Sequence, residues 1–149
     1  MRTLDLPTAE ATHALGIALG RALFAGAFVA LRGDLGAGKT ALARGIARGL
    51  GIDGKVPSPT YVLVHSYDGR LPLHHADWYR LADEGELEQI GWFELAGPEA
   101  VAVVEWPERV EEALPADRLE IELHHVGEAR RVILRATGAA HAPLEAVGG

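Results

Sequence analysis

The chain has 149 residues, 48% of them hydrophobic, a formal net charge of −7 and no cysteine. That length suits one domain with a single sizeable core and leaves no room for a second of ordinary size. The negative charge argues against a broad nucleic-acid-binding surface, and the lack of cysteine excludes disulfides and thiolate metal sites and fits a reducing cytosol. The first ten residues, MRTLDLPTAE, do not lead from a basic into an apolar segment, and no apolar run approaches the ~18 residues of a membrane span, so a cytoplasmic protein without membrane contact is expected.

In chain order, Thr3 to Leu6 reads as a short strand, and Pro7-Thr8 with Glu10 reads as a helix start. Leu15, Leu19 and Leu23 then mark one helical face through about Ala25. The plain reading of this helix is core packing, although Thr8 lies early enough to line a base pocket. Ala27 to Leu31 is a continuous apolar run of strand length, and after it Leu42, Ile46 and Leu50 repeat every four residues, as on a helix.

Between that strand and helix lies Gly33-Asp34-Leu35-Gly36-Ala37-Gly38-Lys39-Thr40, the pattern G-x-x-x-x-G-K-[ST]. Glycines allow successive backbone N–H groups to approach a phosphate chain, and the following helix adds its N-terminal partial positive charge. Residues Gly33 to Ala41 are therefore the candidate nucleotide-binding segment. Lys39 would reach the β and γ phosphates, and the Thr40 hydroxyl would ligate Mg²⁺. Of the 14 basic residues only Lys39 and Lys55 are lysines, so this lysine is no by-product of lysine richness.

Gly51 and the segment Ile52 to Pro57 break regularity and read as a loop. Ser58-Pro59-Thr60-Tyr61 follows, then a strand from Val62 to Tyr67, an Asp68-Gly69 turn and a second strand from Leu71 to Ala76, together a hairpin. Alternation places His75 and Asp77 on one face. Leu81 to Leu95 carries five acidic residues and no Arg or Lys, and reads as short helices with a solvated face. Ala100 to Val104 is a second apolar strand, ending at Glu105, where phosphate-loop NTPases deliver an acidic side chain toward Mg²⁺ and its waters. A purely structural carboxylate is the alternative for Glu105, and Trp106 beside it is expected in the core. Leu119, Ile121 and Leu123 alternate with Glu120 and Glu122, and a Gly127 turn leads into Arg131 to Arg135, a half-exposed antiparallel hairpin expected to close one edge of the sheet. Residues 138–149 are rich in Ala, Gly and Pro and are expected to form a tail without structure. His74-His75 and His124-His125 do not suggest zinc, because neighbours on a strand point to opposite faces.

The layout implies an α/β fold over residues 1–149: a phosphate-loop NTPase-like three-layer sandwich, mainly parallel at its centre and extended by antiparallel hairpins.

GDLGAGKT (33–40), SPTY (58–61), HADWYR (75–80), an acidic stretch leading to Ile90-Gly91, EWPE (105–108) and LPAD (114–117) occur in this order. Together they closely resemble the bacterial TsaE (YjeE) family, the ATPase of tRNA threonylcarbamoyladenosine synthesis. The resemblance covers roughly Leu31 to Asp117, with Trp78 standing where the family has leucine. It implies a small, weakly active, Mg²⁺-dependent ATPase that works with TsaB- and TsaD-like partners, which would hold the tRNA. In that setting Lys39 would offset phosphate charge, and Thr40 and Glu105 would hold Mg²⁺. Asp77 would orient or deprotonate the attacking water, or cap the following helix. Thr60 would act as a switch residue reporting the γ-phosphate, or simply start a turn. Arg80 would stabilise charge in cis or sit solvated. ATP over GTP rests on the same resemblance. Two other classes share the loop. A small-molecule kinase would need an arginine-rich lid, which Leu81 to Leu95 does not supply, and a nucleotide-gated binding module would need ATP binding but not hydrolysis.

Overall fold

The computed structural model describes residues 1–34, 36–54 and 63–148. Its centre is a seven-stranded sheet in the order β1-β7-β6-β2-β5-β4-β3. The strands are β1 (Arg2–Leu6), β2 (Phe28–Arg32), β3 (Val64–Asp68), β4 (Pro72–Asp77), β5 (Val101–Glu105), β6 (Leu119–Val126) and β7 (Ala129–Ala136). Strands β4, β5, β2 and β6 run parallel, and antiparallel strands flank them on both sides. β2 and β5 are apolar at almost every position because both of their faces are covered, as expected of central parallel strands.

One face of the sheet carries α1 (Ala9–Ala22) and α2 (Lys39–Gly49), packed through Leu15, Leu19, Leu42 and Ile46 onto Val29, Leu31, Val103 and Ile121. The other carries the short helices α3 (Glu84–Gln89) and α4 (Trp92–Leu95) and a 3₁₀ segment, Pro107–Ala113, over Phe28, Ala30, Ala76, Ala102 and Val104. The three layers expected from the sequence are present.

Helix α1 begins where Thr8 Oγ1 accepts the Ala11 N–H at 3.1 Å. It ends at Ala22, short of Ala25, where Leu23 turns extended, and the Arg70 guanidinium, reaching from the β3–β4 turn, satisfies the carbonyls of Gly20 at 3.0 Å and Leu23 at 2.9 Å. Helices α1 and α2 meet backbone to backbone at glycines: a Cβ on Gly16 would lie 2.8 Å from the Gly45 Cα, and one on Gly45 would run into the His13 carbonyl. This crossing sets the position of α2, whose N-terminus follows the phosphate loop.

The β6–β7 hairpin does not close the sheet edge: β6 pairs in parallel with β2, and β1 pairs outside β7. Glu120, which reads in sequence as a solvated residue, is only 2% exposed. Arg32 Nε and Arg118 Nε each donate to its carboxylate at 2.6 Å, and Arg32 also pairs with Glu111. Burial by itself would raise the Glu120 carboxyl, but the two guanidiniums outweigh it and hold it below the usual carboxylate range. A lowered carboxylate pKa contributes stability above its unfolded value and loses it as pH falls through the folded one. Glu120→Ala, which leaves Arg118 without a carboxylate and Arg32 with Glu111 alone, is expected to cost about 2–3 kcal/mol at neutral pH. The deficit should shrink in urea titrations as pH is taken below the ordinary carboxylate range.

The expected unstructured tail is docked. Asp117 accepts the Ala140 N–H at 2.9 Å and lies 2.7 Å from His141 Nδ1. The Phe28 N–H donates to His141 Nε2 at 3.0 Å, so Nε2 is the bare nitrogen and Nδ1–H faces Asp117. Leu144 is 2% exposed in the main core, and the Ala136 N–H donates to Glu145. A composition-based reading could not anticipate these partners, which lie on β2, β7 and the residues before β6.

Candidate functional site

Parallel pairing gathers the site at the C-terminal ends of three strands. Leu31 on β2 and Asp77 on β4 are both registered with Glu105 on β5. Alternation therefore points His75, Asp77 and Glu105 to the α2 side of the sheet, the side of Leu31 and Val103. The phosphate loop leaves the end of β2 on this side and runs into α2. Gly38 takes the position before the helix with φ of 103°, a conformation that favours glycine. A cavity of about 480 Å³ opens here, lined by Gly36, Gly38, Lys39 and Thr40 from the loop and helix and by Asp77 and Glu105 from the strands. Leu63, Tyr79, Arg80 and Trp106 complete its described wall.

The sequence-derived residues Lys39, Thr40, Asp77 and Glu105 thus converge, although Lys39 and Glu105 are far apart in the chain. Gly33, Asp34, Ala37 and Ala41 lie in the loop and the first turn of α2. Leu35 and Thr60 lie outside the described residues. Thr8, whose hydroxyl caps α1, does not line the described wall of the cavity.

Lys39 is 5% exposed. Its Nζ donates to the Gly33 carbonyl at 2.7 Å and sits 3.7 Å from the centre of the Trp106 ring. Burial lowers its pKa against the opposing pull of Glu105, Glu108, Asp77 and Asp34. Burial likewise raises the Asp77 carboxyl, opposed by the Tyr79 N–H that donates to Oδ1 at 2.8 Å and reinforced by the charge of Glu105. Asp77 therefore faces the cavity and caps the turn at Tyr79, but not the following helix α3, whose N-cap is Asp83. Glu105 Oε2 lies 2.6 Å from His75 Nε2.

Trp106 corrects the expectation of a core residue. It adopts a left-handed backbone at φ 58°, ψ 48°, the one positive φ at a non-glycine among the described residues, and this turns its ring over the cavity. Tyr79 packs on it with ring centres 4.9 Å apart, and the Arg109 guanidinium lies 4.8 Å from the Tyr79 ring centre. Arg130 was also not foreseen: from β7 it donates to the loop carbonyl of Ala37 at 3.1 Å, bracing the loop from behind. Sequence spacing carries no signal for a residue that acts from 93 positions away.

Hydroxyl and carboxylate oxygens are the donor set of a hard cation, and among the described residues no group of three His, Cys, Asp or Glu forms a closed metal cage. Thr40 and Glu105 both line the cavity and offer oxygen donors of the type that Mg²⁺ takes.

A glycine-rich loop between a central parallel strand and a helix N-terminus, with acidic residues at the tips of neighbouring strands, defines a phosphate-loop α/β protein. Within that class the comparisons are specific. The model of the family described as "Threonylcarbamoyl adenosine biosynthesis protein TsaE" matches residues 6–133. The TsaE protein of Bacillus subtilis is 42% identical over 136 residues, 89% of this chain and 85% of its own. That of Treponema pallidum is 41% identical over 126 residues, 85% and 93% respectively. The crystal structure of Bacillus subtilis YdiB aligns with a TM-score of 0.82 at 33% identity, covering 96% of this chain and 90% of that one. The chain belongs to the TsaE family of tRNA threonylcarbamoyladenosine biosynthesis proteins. No helix among the described residues is long and apolar enough to cross a membrane.

Proposed function

We propose that this protein is a Mg²⁺-dependent ATPase that supports threonylcarbamoyl transfer to the tRNA adenosine beside the anticodon by TsaB- and TsaD-like partners. The observation that carries the reading is the convergence of Lys39, Thr40, Asp77 and Glu105 on one cavity at the mouth of the phosphate loop. Phosphoryl transfer to water asks for positioning and charge neutralisation more than covalent chemistry. The loop amides and the Lys39 ammonium would take the phosphate charge, with Lys39 leaving the Gly33 carbonyl to do so. Thr40 and Glu105 would hold Mg²⁺, which when bound neutralises charge on the β and γ phosphates. Asp77, a carboxylate with a raised pKa at the cavity wall, would orient the attacking water and accept its proton. Trp106, Tyr79 and Arg80 would border the bound nucleotide. The acidic chain leaves tRNA contact to its partners.

The deciding experiment is steady-state hydrolysis of ATP and GTP with Mg²⁺, alone and with TsaB plus TsaD. Slow ATP turnover that rises with the partners is the expected result. No partner response, or consumption of ATP only when a hydroxyl-bearing metabolite is added, would overturn the reading in favour of a small-molecule kinase.

A further inference from the structure

This sheet buries two glutamates and holds them in opposite ways. Glu120 is 2% exposed and clamped by two guanidiniums, an arrangement that cancels its charge. Glu105 is 4% exposed and held by an imidazole instead. His75 is itself 1% exposed, and its Nδ1 is buried with no hydrogen-bond partner among the described residues. A carboxylate only accepts, so the 2.6 Å contact places the proton on Nε2 and leaves Nδ1 bare. Through this contact the ring fixes the direction of the Glu105 carboxylate.

The register shows why the pair consists of these two residue types. His75 lies opposite Val103, and Glu105 lies opposite Asp77, so the contact runs diagonally between neighbouring strands. Diagonal neighbours lie farther apart than directly opposite ones, a gap that only long side chains close. Histidine through Nε2 and glutamate through its carboxylate both reach. Glutamine has the length to replace the imidazole Nε2–H, and asparagine does not. With Oε2 engaged by His75, Oε1 is the oxygen left for the cavity.

We propose that His75 is a positioning residue for the cation-holding carboxylate: its Nε2–H holds Glu105 Oε2 so that Oε1 faces the phosphate loop. The inference rests on the nucleotide and cation site proposed above. It also accounts for a buried, half-satisfied imidazole in the sheet. Outer-shell hydrogen bonds of this kind orient metal-ligating carboxylates, and removing them typically weakens metal affinity about 10–100-fold.

The test compares His75→Gln, His75→Asn and His75→Leu with the wild type. Mn²⁺ binding is measured by electron paramagnetic resonance with a non-hydrolysable ATP analogue, and binding of the same analogue is measured in EDTA. His75→Asn and His75→Leu are expected to weaken Mn²⁺ binding about tenfold or more, while His75→Gln stays within about threefold of wild type. Metal-free analogue binding should be the same in all four proteins, which a general loss of structure would not allow. If His75→Leu fails to fold, the Asn–Gln pair decides. Wild-type Mn²⁺ affinity in the Asn or Leu variant, or equal loss in Gln and Asn, would overturn the positioning role alone. A wild type that takes up no Mn²⁺ with the analogue would overturn the role together with the proposed site.

Discussion

Replacing Lys39 with methionine is expected to lower ATP turnover on the order of 10²–10³-fold, the loss typical when one preorganised donor to developing negative charge is removed. The same variant is expected to melt no lower than wild type. These two outcomes share one cause. The Lys39 ammonium is buried against the Trp106 ring with a single backbone acceptor, Gly33 O, at 2.7 Å, and desolvation lowers its pKa. A lysine whose pKa is lowered by folding costs stability while protonated, and the cost is relieved as pH rises toward the ordinary lysine range. At neutral pH the wild type bears that cost, and methionine keeps the stem volume without it. Turnover by phosphate release and thermal melting by circular dichroism check the pair. A strongly destabilised Lys39→Met would mean that the ammonium is a structural tie rather than a group held ready for an anion.

Asp77→Asn is expected to reduce turnover about 10²–10⁴-fold, the range for loss of a positioned general base, with ATP binding retained. Asparagine is the informative substitution because its Oδ1 still accepts the Tyr79 N–H, so the turn after β4 is kept. Burial and the neighbouring Glu105 charge raise the Asp77 carboxyl above the usual range. A carboxyl raised in the fold contributes stability that is present below its unfolded pKa and is lost as pH rises through the folded one. The neutral amide escapes that loss, and Asp77→Asn is expected to melt at or above wild type at neutral pH. Equal turnover in variant and wild type would remove Asp77 from the reaction and leave it as a turn cap.

Both variants illustrate a common property of the cavity. Burial works against the charged form of both Lys39 and Asp77, lowering the pKa of the first and raising that of the second. Such placement is expected of side chains kept for a ligand rather than for the fold. Glu120 makes the contrast, because its two arginines turn a buried charge into a structural tie.

How much of this was legible in the sequence depends on how far apart the partners lie. The phosphate loop, the two apolar strands and the capped start of α1 are set by neighbouring residues, and their patterns could be read directly. Asp77 and Glu105 were reachable because each ends a recognisable strand, and parallel strands bring such ends together. Trp106 was misread because an apolar residue after a buried strand normally enters the core, and nothing local announces a left-handed backbone. Glu120 was misread because alternation with Leu119 and Ile121 signals a solvated face, while its partner Arg32 lies 88 residues away. The docking of the last residues escaped for the same reason: His141 bonds to a backbone amide 113 residues earlier.

The sequence by itself determined the phosphate loop, its lysine and hydroxyl, the mainly parallel α/β class and the family, because glycine geometry, helix periodicity and motif order are local and additive. The tertiary structure alone decided the strand order around β6, the glycine crossing of α1 and α2, the Trp106 cover over Lys39 and the His75 hold on Glu105. The strand order and the His75 contact depend on which residues a parallel register brings together, and the other two on close backbone packing and a left-handed backbone at Trp106; none is set by neighbours in sequence.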